Sequence, residues 1–304
     1  MSRYSPEFLT GAKKEPMNLR FINRAIQDRI ILEALVTSCT SENTLKLDLG
    51  ENIIGEIPFD ELEYNADGRE TKVISALVKV GKHVRFIPRK ISKKDDTFII
   101  ECSRREAQME CYNNYVAKLK PGDVIPARML RIENYGIFCD IGCGLVALLP
   151  TNNISVTHII NPKESLINVK RLYVVVKSID ENGKIQLSHK ELLGTWREET
   201  AKFKDGDIVT GTVLSVEEYG VFVRLSQNLS GLAEPSSFDL KTGDNVSVII
   251  SDILEANMKV KLSILEKLDT PSEELKFDYV QTEGHIDKWV YSTEGAKKQI
   301  ISEF

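Results

Sequence analysis

Two aromatic pairs have the residue types and spacing to do chemistry in this sequence. Tyr135 and Phe138 flank Gly136 in ENYGIFCDI, Glu133 to Ile141, and Tyr219 and Phe222 flank Gly220 in EEYGVFVRL, Glu217 to Leu225. Apolar residues alternate after each tyrosine: Ile137, Cys139 and Ile141 in one copy, Val221, Val223 and Leu225 in the other. Period two predicts a strand with one buried face, which puts Phe138 and Phe222 on the other face. A large ring there either packs under a neighbouring loop or offers a flat π surface to a partner. The pair occurs twice, 84 residues apart, which favours an exposed stacking platform over two separate packing solutions.

The residues around each pair repeat as well. Upstream stand PGDVIPARMLRI and DGDIVTGTVLSV, each a glycine-aspartate turn leading into a strand. Downstream come GLVALLP and SGLAEPS, then RLYVVVKSIDENGKIQLS and TGDNVSVIISDILEANMKVKLS, each with two β-branched runs ending on leucine-serine. Five short strands with turn-rich joins fit a small closed barrel of the OB type. A repeat of this length is domain-sized, so the chain reads as tandem modules. A weaker copy comes first, from ILEALVTSC through Gly55 to Pro58 and on to GKHVRFIPRKISKKDDTFIIECS. It has no aromatic pair, and Asn43, Thr44 and Leu45 stand in those slots.

The joins SRREAQMECYNNYVAKLKPGD and SHKELLGTWREETAKFKDGD predict amphipathic helices of similar length, with Tyr112 and Trp196 as packing anchors. Leu19, Ile22, Ile26 and Ile30 predict one short helix before the first barrel. The expected fold is mainly β: three tandem five-stranded OB-fold barrels joined by short helices, with a C-terminal extension. The expected boundaries are an N-terminal segment 1–27, a degenerate barrel with its linker helix 28–119, a second barrel with its linker helix 120–202, a third barrel 203–268 and an extension 269–304. That extension carries Phe277, Tyr279, Trp289 and Tyr291 and reads as an appended subdomain or a docked tail.

Composition narrows the function. The chain has 304 residues, 42% of them hydrophobic, a net charge of −5, and no apolar run of the ~20 residues that span a bilayer. The N-terminus lacks the apolar core of an export signal, so a cytoplasmic location is expected. Bulk positive charge cannot drive nucleic-acid binding here, but local charge differs between modules. Lys120 to Leu192 holds 9 basic and 7 acidic residues, whereas Asp205 to Lys267 holds 5 and 10. The five cysteines form no C-x-x-C pair, and Cys139 and Cys143 with His158 fall short of a metal site, so buried thiols and no metal are expected. His83, His158, His189 and His285 lie far apart, and no phosphate-binding loop, G-x-S-x-G or H-E-x-x-H occurs. Neither catalysis nor a cofactor is expected.

The glycine-aspartate turn, the aromatic-glycine-aliphatic-phenylalanine strand and the closing lysine-x-x-leucine-serine together resemble the S-one RNA-binding domain, over roughly residues 28 to 267. The tandem arrangement resembles the multi-domain small-subunit ribosomal protein family that gives this domain its name. The resemblance implies an RNA face built from two aromatics, a histidine, an aspartate and a basic residue. In the middle copy these are Tyr135, Phe138, Asp180 and Lys184, with Pro150 in the histidine slot. In the last copy they are Tyr219, Phe222, Glu255 and Lys259, with Glu234 in the histidine slot, where a carboxylate repels phosphate. Physical chemistry points the same way, because bases stack on exposed rings with little sequence preference. Arg128, Lys184 and Lys170 or Arg171 are placed to neutralise phosphates, which makes binding salt-sensitive.

The expected function is therefore non-catalytic binding of single-stranded RNA in translation, with messenger RNA or the small ribosomal subunit as partner, by a monomer. The competing reading is a scaffold of barrels that docks on a ribosome, nuclease or polymerase through its first and third repeats.

Overall fold

A computed structural model of the chain describes residues 3–7, 17–65, 68, 70–157, 171–269 and 277–304. It contains three closed five-stranded barrels in series. The first is built from β1 (Leu32–Cys39), β2 (Leu45–Gly50), β3 (Ile53–Ile57), β4 (His83–Lys94) and β5 (Thr97–Ser103). The second uses β6 (Val124–Glu133), β7 (Gly136–Gly142), β8 (Leu145–Pro150), β9 (Arg171–Ile179) and β10 (Ile185–Ser188). The third uses β11 (Ile208–Glu217), β12 (Gly220–Arg224), β13 (Ser230–Ala233), β14 (Asn245–Leu254) and β15 (Lys259–Leu268). In each barrel the third strand pairs in parallel with the fifth, as in Ile54 with Ile99, Leu148 with Gln186 and Leu232 with Lys261, and this closes the sheet.

Alternation along the strands fills the barrels. Ile137, Cys139, Ile141, Val174, Val176 and Leu187 are buried in the second core, and Val221, Val223, Val246, Val248 and Leu262 are buried in the third. Each barrel also bends its first strand at a bulge opposite the second strand: between Val36 and Ser38, Met129 and Arg131, and Val213 and Ser215. An extra residue there increases the local twist and re-aims the side chains beyond it.

The connecting segments hold the barrels together. Helix α1 (Leu19–Gln27) is capped by the Asn18 side chain and buries Ile22 and Ala25 on the first barrel. A short helix α2 (Val73–Leu77) lies between β3 and β4. The two joins differ in length, contrary to the reading of matched helices. Helix α3 (Arg104–Asn114) has 11 residues and α4 (Trp196–Thr200) has 5. The second join is interrupted by Gly194 at φ +90°, and the helix restarts from a Thr195–Glu198 capping box. Trp196 is an anchor in the third core, while Tyr112 packs half-buried beside Tyr64.

Of the two readings left open for the C-terminal extension, the docked tail is the one observed. Strands β16 (Lys288–Val290) and β17 (Ile301–Glu303) pair with each other, and Trp289 and Tyr291 enter the third core. Phe277 and Tyr279 pack instead around His189 of the second barrel. Main-chain hydrogen bonds from Val280 to Leu192, Ile286 to Gly122 and Val124 to Gly284 add to this strap.

Candidate nucleic-acid interface

Each aromatic platform stands on a strand crossing too tight for a side chain. A Cβ on Gly136 would lie 2.6 Å from the carbonyl oxygen of Leu149, and one on Gly220, at φ +153°, would collide with the carbonyl of Ala233. Glycine lets β7 and β12 approach their neighbours at the point where the tyrosine turns outward. Tyr135 is 59% exposed and Tyr219 66%. Tyr135 meets Phe138 edge to face, with centroids 6.1 Å apart at 90°, and Tyr219 meets Phe222 at 6.2 Å and 86°. Both phenylalanines are half-buried and lie outside the hydrophobic cores.

The two platforms differ in what flanks them. Beyond its bulge, β6 sets Arg131 opposite Phe138, and the guanidinium lies 4.9 Å from the ring centroid. Arg131 also pairs with Glu133 at 3.1 Å. In the third barrel the position opposite Phe222 is Ser215. Sequence reasoning missed Arg131, because the bulge shifts the register by one residue and only the paired strands show which side chain faces the ring.

Lys184 is exposed and lies on the same face as Phe138, through Leu148 and Gln186. Asp180 sits at the same β9–β10 turn, but its Oδ1 accepts the main-chain N–H groups of Asn182 at 2.9 Å and Lys184 at 2.8 Å, so its carboxylate shapes the turn. Arg171 is exposed across from Arg128. Arg128 itself is half-buried and donates from Nη1 to the Glu7 carbonyl at 3.2 Å, which ties it to the N-terminal segment. Beside it, burial and the Glu7 charge push Asp140 up to about 7, against three main-chain N–H donors that favour its charged form. Lys170 lies outside the described residues.

Lys259 is exposed at the start of β15. Glu255, which matched the aspartate position, is held by Arg197 at 2.6 Å. Glu234 is exposed directly after β13, and Pro150 ends β8 opposite Gly136. The second barrel therefore gathers two rings, Arg131 and Lys184 on one side, whereas the third sets Lys259 and Lys261 on the face of Phe222 but, among the described residues, has no arginine over the ring.

Among the described residues no cluster of His, Cys, Asp and Glu could hold a metal, and His158 lies outside them. Cys102, Cys111, Cys139 and Cys143 are buried and free, and burial pushes the Cys139 thiol up to about 12, far from a reactive thiolate. No helix among the described residues is long and apolar enough to cross a membrane.

Comparison with known proteins bears on this face. The model of the S1 RNA binding domain matches residues 118–190 and 202–266, the second and third barrels. Small ribosomal subunit protein bS1 of Staphylococcus epidermidis is 32% identical over 182 residues, covering 56% of this chain and 46% of that protein. The bS1 homolog of Bacillus subtilis is 30% identical over 54% of this chain and 45% of its own length. Staphylococcus aureus bS1 is 26% identical over 84% of this chain and 66% of that protein. A multidomain protein with nucleic acid binding domains from Streptococcus pneumoniae aligns over 78% of this chain and 73% of its own at 14% identity, with a TM-score of 0.25. The chain spans about half the length of the first of these relatives. Residues 118–190 and 202–266 thus match the model of the S1 RNA binding domain, in a chain that is similar over part of its length to small ribosomal subunit protein bS1.

Proposed function

We propose that this protein binds single-stranded RNA without catalysis and acts in translation in the cytoplasm, on messenger RNA or at the small ribosomal subunit. The observation that carries this reading is the exposed Tyr135 ring set edge-on to Phe138, with the Arg131 guanidinium over that second ring and Lys184 on the same face. Unpaired bases stack on such rings for roughly 1 to 3 kcal/mol each, and a duplex hides the faces that would stack. In this reading Tyr135, Phe138 and Lys184 contact RNA, Asp180 holds the turn that presents Lys184, and Arg128 braces the barrel. Tyr219, Phe222 and Lys259 form a weaker second platform. The similarity of the chain to bS1 supports a place in translation.

The experiment is a titration of a fluorescent oligoribonucleotide at increasing salt. Affinity that falls steeply with salt supports phosphate contacts despite the net charge of −5. Absence of binding at low salt rejects the proposal. One observation favours protein docking for the first barrel, which lacks the aromatic pair: α2 exposes Val73, Ile74 and Leu77, each by half or more.

A further inference from the structure

The outer face of the second barrel continues past Phe138. Register pairs Phe138 with Leu148 and Asp140 with Val146, and Leu148 pairs in turn with Gln186. Leu148, Val146, Gln186 and Lys184 thus share the side of the sheet that carries Phe138, and Val146 is 55% exposed. This strip runs for about 7 Å along the strands, at roughly 3.3 Å per residue, to the mouth of a cleft. The cleft, about 290 Å³, lies between the first barrel, α3 and the second barrel. Pockets for small ligands begin at about this size.

The walls of the cleft suit a nucleotide. Tyr64 and Tyr112 line it with their rings 5.7 Å apart and tilted at 53°, both half-buried. Tyr64 is held in place, because its main-chain N–H donates to the buried Gln108 side chain at 2.8 Å. The β9–β10 turn brings Asn182 and Lys184 to the cleft beside Tyr112, where Gly183, at φ +73°, fits so closely that a Cβ would lie 3.2 Å from the Tyr112 hydroxyl. The amide of Asn182 can meet the polar edge of a base while a tyrosine takes its face. Glu63, a carboxylate lining the cleft next to Tyr64, is drawn toward Lys79 at 4.0 Å and Arg104 at 3.9 Å, which offsets its repulsion of phosphate.

We propose that this cleft between the first and second barrels binds one nucleotide of the same RNA strand, its base against Tyr64 or Tyr112 and its phosphate at Lys184. This rests on the RNA-binding reading of the second barrel and extends it: the degenerate first barrel, which has no platform of its own, supplies half of a subsite. The RNA would run from Tyr135 and Phe138 over Leu148 and Val146 into the cleft.

The test uses the full chain and two labelled oligouridylates, one of 4 and one of about 12 nucleotides, the longer able to cover both sites. Tyr112→Ala is expected to weaken the long probe about tenfold and leave the short one unchanged. Tyr135→Ala with Phe138→Ala is expected to weaken both. Equal affinity of Tyr112→Ala and parent for the long probe overturns the cleft while leaving the platform intact. Equal affinity of the platform variant and parent overturns both. Because Tyr112→Ala could loosen α3, the parent protein is also crosslinked to the long probe carrying a photoreactive uridine at each position in turn. An adduct on Tyr64 or Tyr112 supports the cleft, and adducts confined to the Tyr135–Phe138 face reject it.

Discussion

Glu7 and Arg104 form a fully buried ion pair between the first two barrels, with Arg104 Nε donating to Glu7 Oε1 at 2.9 Å. The N-terminal segment is locked there from both sides. The Arg85 main-chain N–H donates to Glu7 Oε1 at 3.2 Å, and the Glu7 N–H donates to Asp140 at 2.7 Å. Burial alone would raise the Glu7 carboxyl, but the charges of Arg104 and Lys79 hold it below its ordinary value. Glu7→Ala leaves the buried guanidinium without its nearest carboxylate, Glu63 remaining at 3.9 Å, and is expected to cost about 3 kcal/mol. Chemical denaturation measures it, and a loss under 1 kcal/mol contradicts a buried pair.

His189 gives the fold a dependence on acid. Its Nδ1–H donates to the Ile154 carbonyl at 2.9 Å, and its Nε2 accepts from the Tyr279 hydroxyl at 3.2 Å, so the ring is neutral. Burial pushes it down to about 4 from its ordinary 6.5. The unfolded chain therefore binds the extra proton first. This contribution is complete above about 6.5 and is lost as the pH falls through that value toward 4. At pH 5 the loss is about 2 kcal/mol. Melting curves at pH 7 and pH 5 are expected to separate more for the parent than for His189→Gln, and equal separations contradict the assignment.

Gly136 is fixed by the strand crossing beneath the platform, so Gly136→Ala forces β7 and β8 apart. A destabilisation of about 1 to 3 kcal/mol is expected, together with weaker RNA binding as Tyr135 and Phe138 shift. Calorimetry and the oligoribonucleotide titration read the two effects. An alanine variant as stable as the parent contradicts the close approach at Leu149.

The platform of the third barrel has the same ring geometry but, among the described residues, no cation over its phenylalanine. Ser215 replaces the arginine opposite Phe222, and Glu234 stands exposed after β13. Tyr219→Ala with Phe222→Ala in the full chain is expected to lower RNA affinity by less than about threefold, well below the ~1 kcal/mol or more of a working stacking site. A loss as large as that of the second-barrel pair contradicts this ranking.

The barrels and the aromatic platforms were legible in the sequence because period-two alternation around Tyr135 and Tyr219 reports strand and face together. The residues that set charge around them were harder to read. Arg131 depends on a bulge that no pattern marks, and Arg128 is turned to bracing by the carbonyl of Glu7, 121 residues away. Asp180 matched an RNA-contact position, yet two main-chain N–H groups claim its Oδ1. The unequal joins follow from Gly194, whose positive φ breaks the helix that the amphipathic pattern suggested. The extension yields only isolated aromatics until its contacts with His189 and the third core are seen.

The most direct test of the central claim replaces both rings of the second barrel. Tyr135→Ala with Phe138→Ala, checked for an unchanged melting profile, is titrated with a labelled single-stranded oligoribonucleotide beside the parent. Loss of about 2 kcal/mol or more, roughly thirtyfold in Kd, is predicted. Binding as tight as the parent's contradicts stacking on this face and leaves protein docking as the use of these barrels.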